Sequence, residues 1–201
     1  MNTTPADLRA RNLRTVGALA ALFFLPLIAA FWMYYATDWR PVASTNNGEL
    51  YRPARPLPVV ELPHSGGAEA DISTPLLAEK WSLVYVGDGA CDEACHRALL
   101  VIRQTRIALN NELTRVKRVF IVTSSQRDRE FLNQEHPGMI LVDASSAAAA
   151  KLVDAFPAAD RSSSIFVVDP LGNLVMRYDA RGNPRGLLQD LKKLLKLSHI
   201  G

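Results

Sequence analysis

The sequence predicts an α/β domain built on a central mixed sheet flanked by helices, preceded by one N-terminal transmembrane helix. Three observations support this prediction: an uncharged apolar run near the N-terminus, alternating strand-type and helix-type segments from Trp81 onward, and a late pair of strands joined by a tight turn. The chain has 201 residues, which leaves room for one domain of ordinary size after the apolar run.

The apolar run extends from Val16 to Ala36 without a charged residue. About 20 apolar residues cross the hydrocarbon core of a bilayer as a helix, and such a helix tolerates the internal Pro26. Aromatic residues that favour the membrane interface cluster at its far end: Trp32, Tyr34, Tyr35 and Trp39. We expect an uncleaved transmembrane helix over 15–37, because the run is too long for a signal peptide and no clear cleavage site follows it.

The charges beside the apolar run predict its orientation. Arg9, Arg11 and Arg14 precede it, whereas only Arg40 lies close on the far side. Positive charge is retained on the cytoplasmic side of a membrane. We therefore expect a single-pass protein of the inner (cytoplasmic) membrane, in contact with the lipid bilayer, with a cytoplasmic tail over 1–14 and a periplasmic C-terminal part.

The segment 38–75 holds six prolines and three glycines, which is typical of extended or turning chain. We expect a Pro-rich linker here, in which Val59, Val60 and Leu62 form a short edge strand. The folded domain is then expected over 76–201.

Hydrophobic periodicity predicts the elements of this domain. The expected strands are Leu83–Val86, Val116–Thr123, Met139–Val142, Ser164–Val168 and Leu174–Tyr178. The expected helices are Asp92–Leu113, Arg127–Glu135, Ser145–Phe156 and Arg185–Leu197. Helical crossovers give parallel strand pairs and the late hairpin gives an antiparallel pair, so the sheet should be mixed.

Charge and cysteine content exclude two classes of protein. The net charge of +3 is spread along the chain without a Lys/Arg block, which argues against nucleic-acid binding. The chain has two cysteines, Cys91 and Cys95, whereas a disulfide-stapled secreted scaffold uses more of them at wider spacing. A disulfide that closes so small a loop stabilises little, so the pair indicates chemistry rather than scaffolding.

The cysteines are the candidate catalytic residues. Cys91 follows the first buried strand across a short loop, where the next helix should start. The partial positive charge of a helix N-terminus favours thiolate, so we expect a lowered pKa for Cys91, which makes it the reactive member. Cys95 should lie on the same helix face, so the sulfurs can form a disulfide or share one soft metal ion. The alternative is two ordinary buried cysteines, without redox or metal chemistry.

Among metals, Cu(I) is the candidate for two thiolates, because soft ligands select soft ions and Zn would need four ligands. The histidines are expected to contribute little. His96 should point away from Cys95 as a surface residue, and His136 should lie in a polar loop. His64 and His199 fall in the linker and near the C-terminus.

Several segments resemble the Sco/SenC family of cytochrome c oxidase copper-assembly proteins. The stretch LVYVGDGACDEAC is similar to that family's strand and cysteine pair, RVFIVTS to its second core strand, and DRSSSIFVVDPLGNLV to its Asp-His-Ser/Thr segment, strand and turn. The resemblance covers roughly residues 48–195. It implies a thioredoxin-like fold, an exported domain on a single-span anchor, and copper as the handled metal.

Two positions depart from the pattern of that family. Arg161 stands where the resemblance places the copper-binding histidine, and a donor-only guanidinium cannot ligate copper. Asp92 replaces the proline after the first cysteine. The copper site implied by the resemblance therefore lacks its third ligand. Arg161 either reaches the cysteines and stabilises a thiolate or pairs with Asp160, Asp154 or solvent.

The resemblance implies an assembly factor that acts through thiol-disulfide or Cu(I) chemistry in the respiratory chain. Its partner would be the copper-receiving subunit of cytochrome c oxidase or a copper chaperone. Two alternatives remain open at this point: a general membrane-tethered thiol-disulfide oxidoreductase, and a non-catalytic accessory protein or subunit bound to the oxidase. The first is weakened because Ser163 and Ser164 stand where typical thioredoxins have a proline opposite the cysteines.

Overall fold

The computed structural model describes residues 5–36, 46–60, 64–65, 76–145, 147–159, 161–198 and 200. The chain divides into two compact units, residues 1–44 and 45–201. Each unit is described by itself below.

The first unit contains one long helix, α1 (Pro5–Ala36). Its part from Arg11 to Ala36 is long and apolar enough to cross a bilayer, and none of that part is buried in the protein. The helix starts earlier than the predicted span, so the expected tail over 1–14 is helical from Pro5 onward. The predicted interfacial Trp39 lies outside the described residues.

The second unit is built on a mixed sheet, as the sequence predicts, and seven strands of this sheet lie in the described part of the chain. The strands are β1 (Glu49–Pro56), β2 (His64–Ser65), β3 (Trp81–Gly87), β4 (Val116–Val122), β5 (Ile140–Asp143), β6 (Ser164–Val168) and β7 (Asn173–Asp179). Their order across the sheet is β1-β7-β6-β3-β4-β5-β2. Strands β3, β4 and β5 are parallel, and the remaining pairs are antiparallel.

Within the residues that the structure describes, four α-helices accompany this sheet: α2 (Glu93–Ile107), α3 (Arg129–Glu135), α4 (Ala150–Ala155) and α5 (Pro184–Leu197). The predicted helix over 92–113 ends early. Asn110 has a left-handed φ of 52°, which an α-helix does not contain, and a 3₁₀ helix over Asn110–Arg115 follows. The predicted helix over 145–156 is likewise reduced to a 3₁₀ turn, Ala147–Ala149, and the short α4.

The linker prediction is wrong for Glu49–Pro56, which forms edge strand β1 beside β7. Pro53 lies inside it, and an edge strand tolerates proline because one of its sides needs no hydrogen-bond donors. The predicted strand at 59–62 is absent at Val59 and Val60, while Leu62 lies outside the described residues.

Side chains alternate between two apolar cores on opposite faces of the sheet. In β3, Leu83 and Tyr85 belong to the core that contains the cysteines and helices α2 and α5. Val84 and Val86 belong to the other core, which is closed by Leu152 of α4. All four β3 side chains are at most 1% exposed. The loop after β3 is therefore anchored to a rigid central strand.

Candidate functional site

The two cysteines lie at the junction between β3 and α2. Cys91 comes four residues after the end of the strand, and Asp92 is the N-cap of the helix. Cys95 lies in the first helical turn. The prediction that both share one helix face is wrong, because Cys91 precedes the helix and adopts a left-handed φ of 50°.

Cys91 and Cys95 form a disulfide in this structure, with their Cα atoms 5.1 Å apart. The bond is buried: Cys91 is 5% exposed and Cys95 is 1% exposed. Both belong to the apolar core that contains Tyr85, Ala98 and Leu99. Both cysteines are therefore nearly inaccessible in this oxidised state, and Cys91 is the more accessible of the two.

The loop that carries Cys91 is held by the segment that follows β4. The Gly87 carbonyl accepts hydrogen bonds from the backbone N–H and the hydroxyl of Thr123, at 2.9 and 3.1 Å. Gly89 donates its N–H to Ser124 Oγ at 3.1 Å, and its carbonyl accepts from the Asp128 N–H at 2.9 Å. These contacts fix the backbone on which Cys91 is mounted.

Asp88 completes the turn in front of Cys91. Its Oδ1 accepts from the Ala90 N–H at 2.8 Å and from Ser124 Oγ at 2.7 Å. These two hydrogen bonds lower the pKa of Asp88, so its carboxylate is ionised at neutral pH. The Asp88 carbonyl accepts from the Cys91 N–H at 3.2 Å. The turn therefore holds the Cys91 backbone directly.

Asp92 places a second carboxylate beside the cysteines. Its Oδ1 accepts the Cys95 N–H at 2.9 Å, as an N-cap does. A negative charge at this position opposes the positive potential of the helix N-terminus. Asp92 therefore stabilises the helix start and also disfavours a thiolate beside it, which the sequence prediction of an activated Cys91 did not take into account.

Tyr85 connects the cysteine junction to the segment before β6, a role that sequence reasoning missed. Its hydroxyl donates to the Ser162 carbonyl at 2.8 Å, and its ring lies against Gly87, where an added Cβ would be 2.8 Å from Cε1. Burial and the nearby Asp92 raise the Tyr85 pKa strongly, so the phenol stays protonated. The available signal was a phenol hydroxyl inside the apolar run LVYV of a buried strand.

Arg161 begins the 3₁₀ turn Arg161–Ser163, which packs against β3 and α2. Its Nη2 donates to the Phe156 carbonyl at 2.6 Å. Its Nε is buried and has no hydrogen-bond partner among the described residues. Among the described residues the hydrogen-bond partner of Arg161 is therefore a backbone carbonyl, and neither the cysteines nor Asp154 pair with it. Asp160 itself lies outside the described residues.

The histidines are distributed differently from the expectation. His96 is exposed, as predicted, and stacks on Phe131 with ring centroids 3.9 Å apart. His136 is not in an open polar loop, because the residue is 3% exposed. Its ring forms a T-shaped contact with the ring of Phe131, with the ring centroids 5.1 Å apart. The side chain of His64 and all of His199 lie outside the described residues.

The donor set does not fit a three-ligand copper site. No group of three or more His, Cys, Asp or Glu side chains that could hold a metal ion occurs in the described part of the chain. The two sulfurs are the soft donors that the junction offers, and Arg161 is held on a carbonyl. The junction can therefore perform dithiol-disulfide chemistry with its own residues.

Comparison with solved structures supports the predicted fold. Apo Sco1 from Thermus thermophilus aligns with a TM-score of 0.57 at 19% identity, covering 77% of this chain and 99% of that one. Copper-bound yeast Sco1 aligns with a TM-score of 0.54 at 17% identity, covering 61% and 82%. An uncharacterised thioredoxin-like protein from Porphyromonas gingivalis gives 0.53 at 17% identity, covering 71% and 94%.

At these identities the comparisons establish the fold, and the expected thioredoxin-like, Sco-like architecture is confirmed. A comparison with curated protein sequences gives no match. The family model described as transmembrane-like, thioredoxin-like, C-terminal domain matches residues 81–198, which contain the cysteine junction and all four helices of the second unit. The chain therefore belongs to the transmembrane-like, thioredoxin-like, C-terminal domain family.

Proposed function

We propose that this protein is a membrane-anchored, Sco-like assembly factor that assists cytochrome c oxidase biogenesis by thiol-disulfide exchange. The observation that carries the proposal is the Cys91–Cys95 disulfide at the junction of β3 and α2, on the fold shared with Sco proteins. The client is the copper-receiving subunit of the oxidase or a copper carrier, whose own cysteines must be reduced to bind copper.

The exchange begins from the reduced dithiol. The Cys91 thiolate attacks one sulfur of a client disulfide, forms a mixed disulfide and releases one client thiolate. The Cys95 thiolate then attacks the Cys91 sulfur, the second client thiolate leaves, and the intramolecular disulfide forms. The client gains two electrons and this protein loses two. A reduced dithiol protein on the same side of the membrane must restore the starting state.

Cys91 is assigned the attacking role because it is the more exposed residue of the two and precedes the helix. Cys95 is 1% exposed, which suits a resolving cysteine that meets only its partner. Since both sulfurs are nearly buried when oxidised, the exchange requires Cys91 to move outward after reduction. The left-handed conformation of Cys91 sits directly before the helix, where such a movement can occur without unwinding α2.

Copper enters this proposal as cargo. Two thiolates are soft donors that can hold Cu(I) without a third protein ligand, and a client can supply a further donor when the ion is transferred. Arg161, at the position of the family histidine, favours exchange over retention of the metal.

The proposed location is the inner membrane, with the N-terminus in the cytoplasm and the second unit in the periplasm. The support is the apolar helix α1 and the arginines Arg9, Arg11 and Arg14 in its first half. A periplasmic domain would meet the copper-receiving subunit on the side where its copper is inserted.

The test is complementation in cells that lack this protein. Cys91→Ser should lower oxidase activity and oxidase-bound copper to the level of the deletion strain. Ser125→Ala, in the loop after β4, is the matched control and should restore wild-type levels. Wild-type activity and copper content in Cys91→Ser cells would contradict the proposal.

A second candidate function is a non-catalytic accessory protein of the oxidase, in which the membrane span and the domain surface matter and the cysteines are dispensable. The burial of both cysteines favours it. In that case a Cys91→Ala, Cys95→Ala double variant should still co-purify with the oxidase in stoichiometric amounts and support full activity. Turnover of scrambled generic disulfide substrates by the wild type would instead indicate a general oxidoreductase.

A further inference from the structure

A cavity of about 200 Å³ lies away from the cysteines and is lined by Arg103, Arg106, Ile107, Arg118 and Pro137. It lies between the second half of α2, the start of β4 and the turn after α3. Arg103 is eight residues beyond Cys95 on α2, a rise of about 12 Å along the helix. The cavity is therefore separate from the disulfide and is not used by the proposed exchange.

Each of the three arginines is fixed by one contact. Arg118 is 7% exposed and donates Nη2 to the Pro137 carbonyl. Arg106 donates Nε to the Val116 carbonyl at 2.7 Å. Arg103 donates Nη1 to Glu135 at 3.3 Å. The first two contacts are to neutral carbonyls, so they orient the guanidinium groups without neutralising them.

The cluster carries a net charge of +2, from three arginines and the single carboxylate of Glu135. Burial, followed by the charges of Arg106 and Arg103, lowers the pKa of Arg118 to about 10. The adjacent His136 adds no charge at neutral pH. The pKa of His136 is lowered to about 4, mainly by burial and then by the charges of Arg118 and Arg103. Glu135 raises this pKa and His96 lowers it, both by smaller amounts.

We propose that this cavity binds a phosphate dianion, either inorganic phosphate or the phosphate of a soluble monoester. Guanidinium groups donate pairs of hydrogen bonds that fit the oxygens of a phosphate group. The phosphate carries a charge of about −1.5 to −2 at pH 7, which balances the net charge of the arginine cluster. The cavity of about 200 Å³ is much larger than the roughly 10–15 Å³ that one water molecule needs on the same measure, so a small oxyanion fits. A lipid-type phosphodiester, with one negative charge, would leave the cluster half-neutralised.

The test is calorimetric titration of the full chain in detergent micelles with inorganic phosphate, in phosphate-free buffer at fixed ionic strength. Arg106→Gln and Arg103→Gln should each weaken binding about 10-fold or more, because each removes a charge-assisted donor. Arg97→Gln is the matched control on the same helix, where Arg97 pairs with Glu93 at the surface, and its affinity should equal that of the wild type.

Dimethyl phosphate, a phosphodiester monoanion, should bind at least 10-fold more weakly than inorganic phosphate to the wild type. Equal binding of the two would overturn the dianion assignment. Absence of phosphate binding, or an equal loss in Arg97→Gln, would overturn the site itself.

A second readout locates the bound anion. Phosphate beside Arg118 and Arg103 should raise the pKa of His136, measured by NMR of its ring protons, since those two arginines hold it down. Phosphate binding that leaves the His136 titration unchanged would place the anion elsewhere and contradict the proposal. Neither readout involves the cysteines, so failure here leaves the proposed exchange untouched.

Discussion

Gly89→Ala should destabilise the second unit by several kcal/mol. A Cβ on Gly89 would lie 2.1 Å from the Gln126 carbonyl oxygen and 2.7 Å from Val122 Cγ1. The oxygen belongs to the backbone and Val122 is fully buried, so neither can move aside cheaply. The loop that carries Cys91 must therefore move away from the segment after β4.

The size of this effect has two parts. Forcing a methyl group into packed surroundings costs about 1–3 kcal/mol. Separating the loops also removes the hydrogen bonds from Gly89 to Ser124 and from Asp128 to Gly89, at about 1 kcal/mol each. The expected loss is about 3–5 kcal/mol. Ser124→Ala removes hydrogen bonds without the steric clash and should cost about 1–2 kcal/mol.

The assay is a urea series on the oxidised full chain in detergent, in which the folded fraction at each urea concentration gives the free energy of unfolding. The order of stability should be wild type, then Ser124→Ala, then Gly89→Ala. A Gly89→Ala protein destabilised by less than about 1 kcal/mol, or no more than Ser124→Ala, would refute the close packing on which the Cys91 loop depends.

Three further predictions concern charged and titratable side chains of the second unit. Asp92→Asn keeps a capping oxygen but removes the negative charge beside Cys91, so alkylation of the reduced protein at neutral pH should become roughly 3- to 10-fold faster; an unchanged or slower rate would contradict this role. Because the pKa of His136 is lowered to about 4, below its unfolded value of about 6.5, the unfolded state binds a proton first as pH falls. Protonation of His136 should therefore decrease the free energy of unfolding by up to about 3 kcal/mol between pH ~6.5 and ~4, as measured by a urea series at each pH. The same decrease in the His136→Gln variant would exclude His136 as the cause. Arg161→His should tighten Cu(I) binding by the reduced protein, measured by competition with a chromogenic chelator, whereas Arg161→Gln should not; equal affinities in both variants would show that a third ligand at 161 cannot reach the metal.

The buried strands and the last helix were predictable because each is a continuous local pattern. LVYV and SIFVV are short apolar runs bounded by turn residues, and they became the central strands β3 and β6. The Leu residues of α5 repeat at helical spacing. Their partners in the sheet follow from the connection rules for α/β domains, so the fold class could be inferred as well.

Strand β1 could not be predicted in the same way. Glu49–Pro56 has no apolar alternation, contains two prolines and is largely exposed. It is a strand because β7, more than a hundred residues later, offers an unpaired edge. Pairing over such a distance leaves no local mark in the sequence.

The sequence was enough to identify which residues form the candidate site, but not to predict which groups surround them. Spacing identified Cys91 and Cys95 as a pair, yet their burial depends on Tyr85 and the neighbouring core. Arg161 could be recognised from the sequence as a departure from the family pattern. Its hydrogen-bond partner could not be predicted, because that partner is the backbone carbonyl of Phe156 and every residue has such a carbonyl. The same reason explains why the hydrogen bond from Tyr85 to Ser162 could not be foreseen.

The reduction potential of the Cys91–Cys95 couple, measured in the full chain against glutathione and dithiothreitol buffers, tests the central claim most directly. A working dithiol should equilibrate reversibly with a potential above about −300 mV, since the short loop contributes little to holding the bond closed. A potential well below that value, or a bond that resists reduction until the domain unfolds, would mean that the disulfide is structural. The exchange mechanism would then be contradicted.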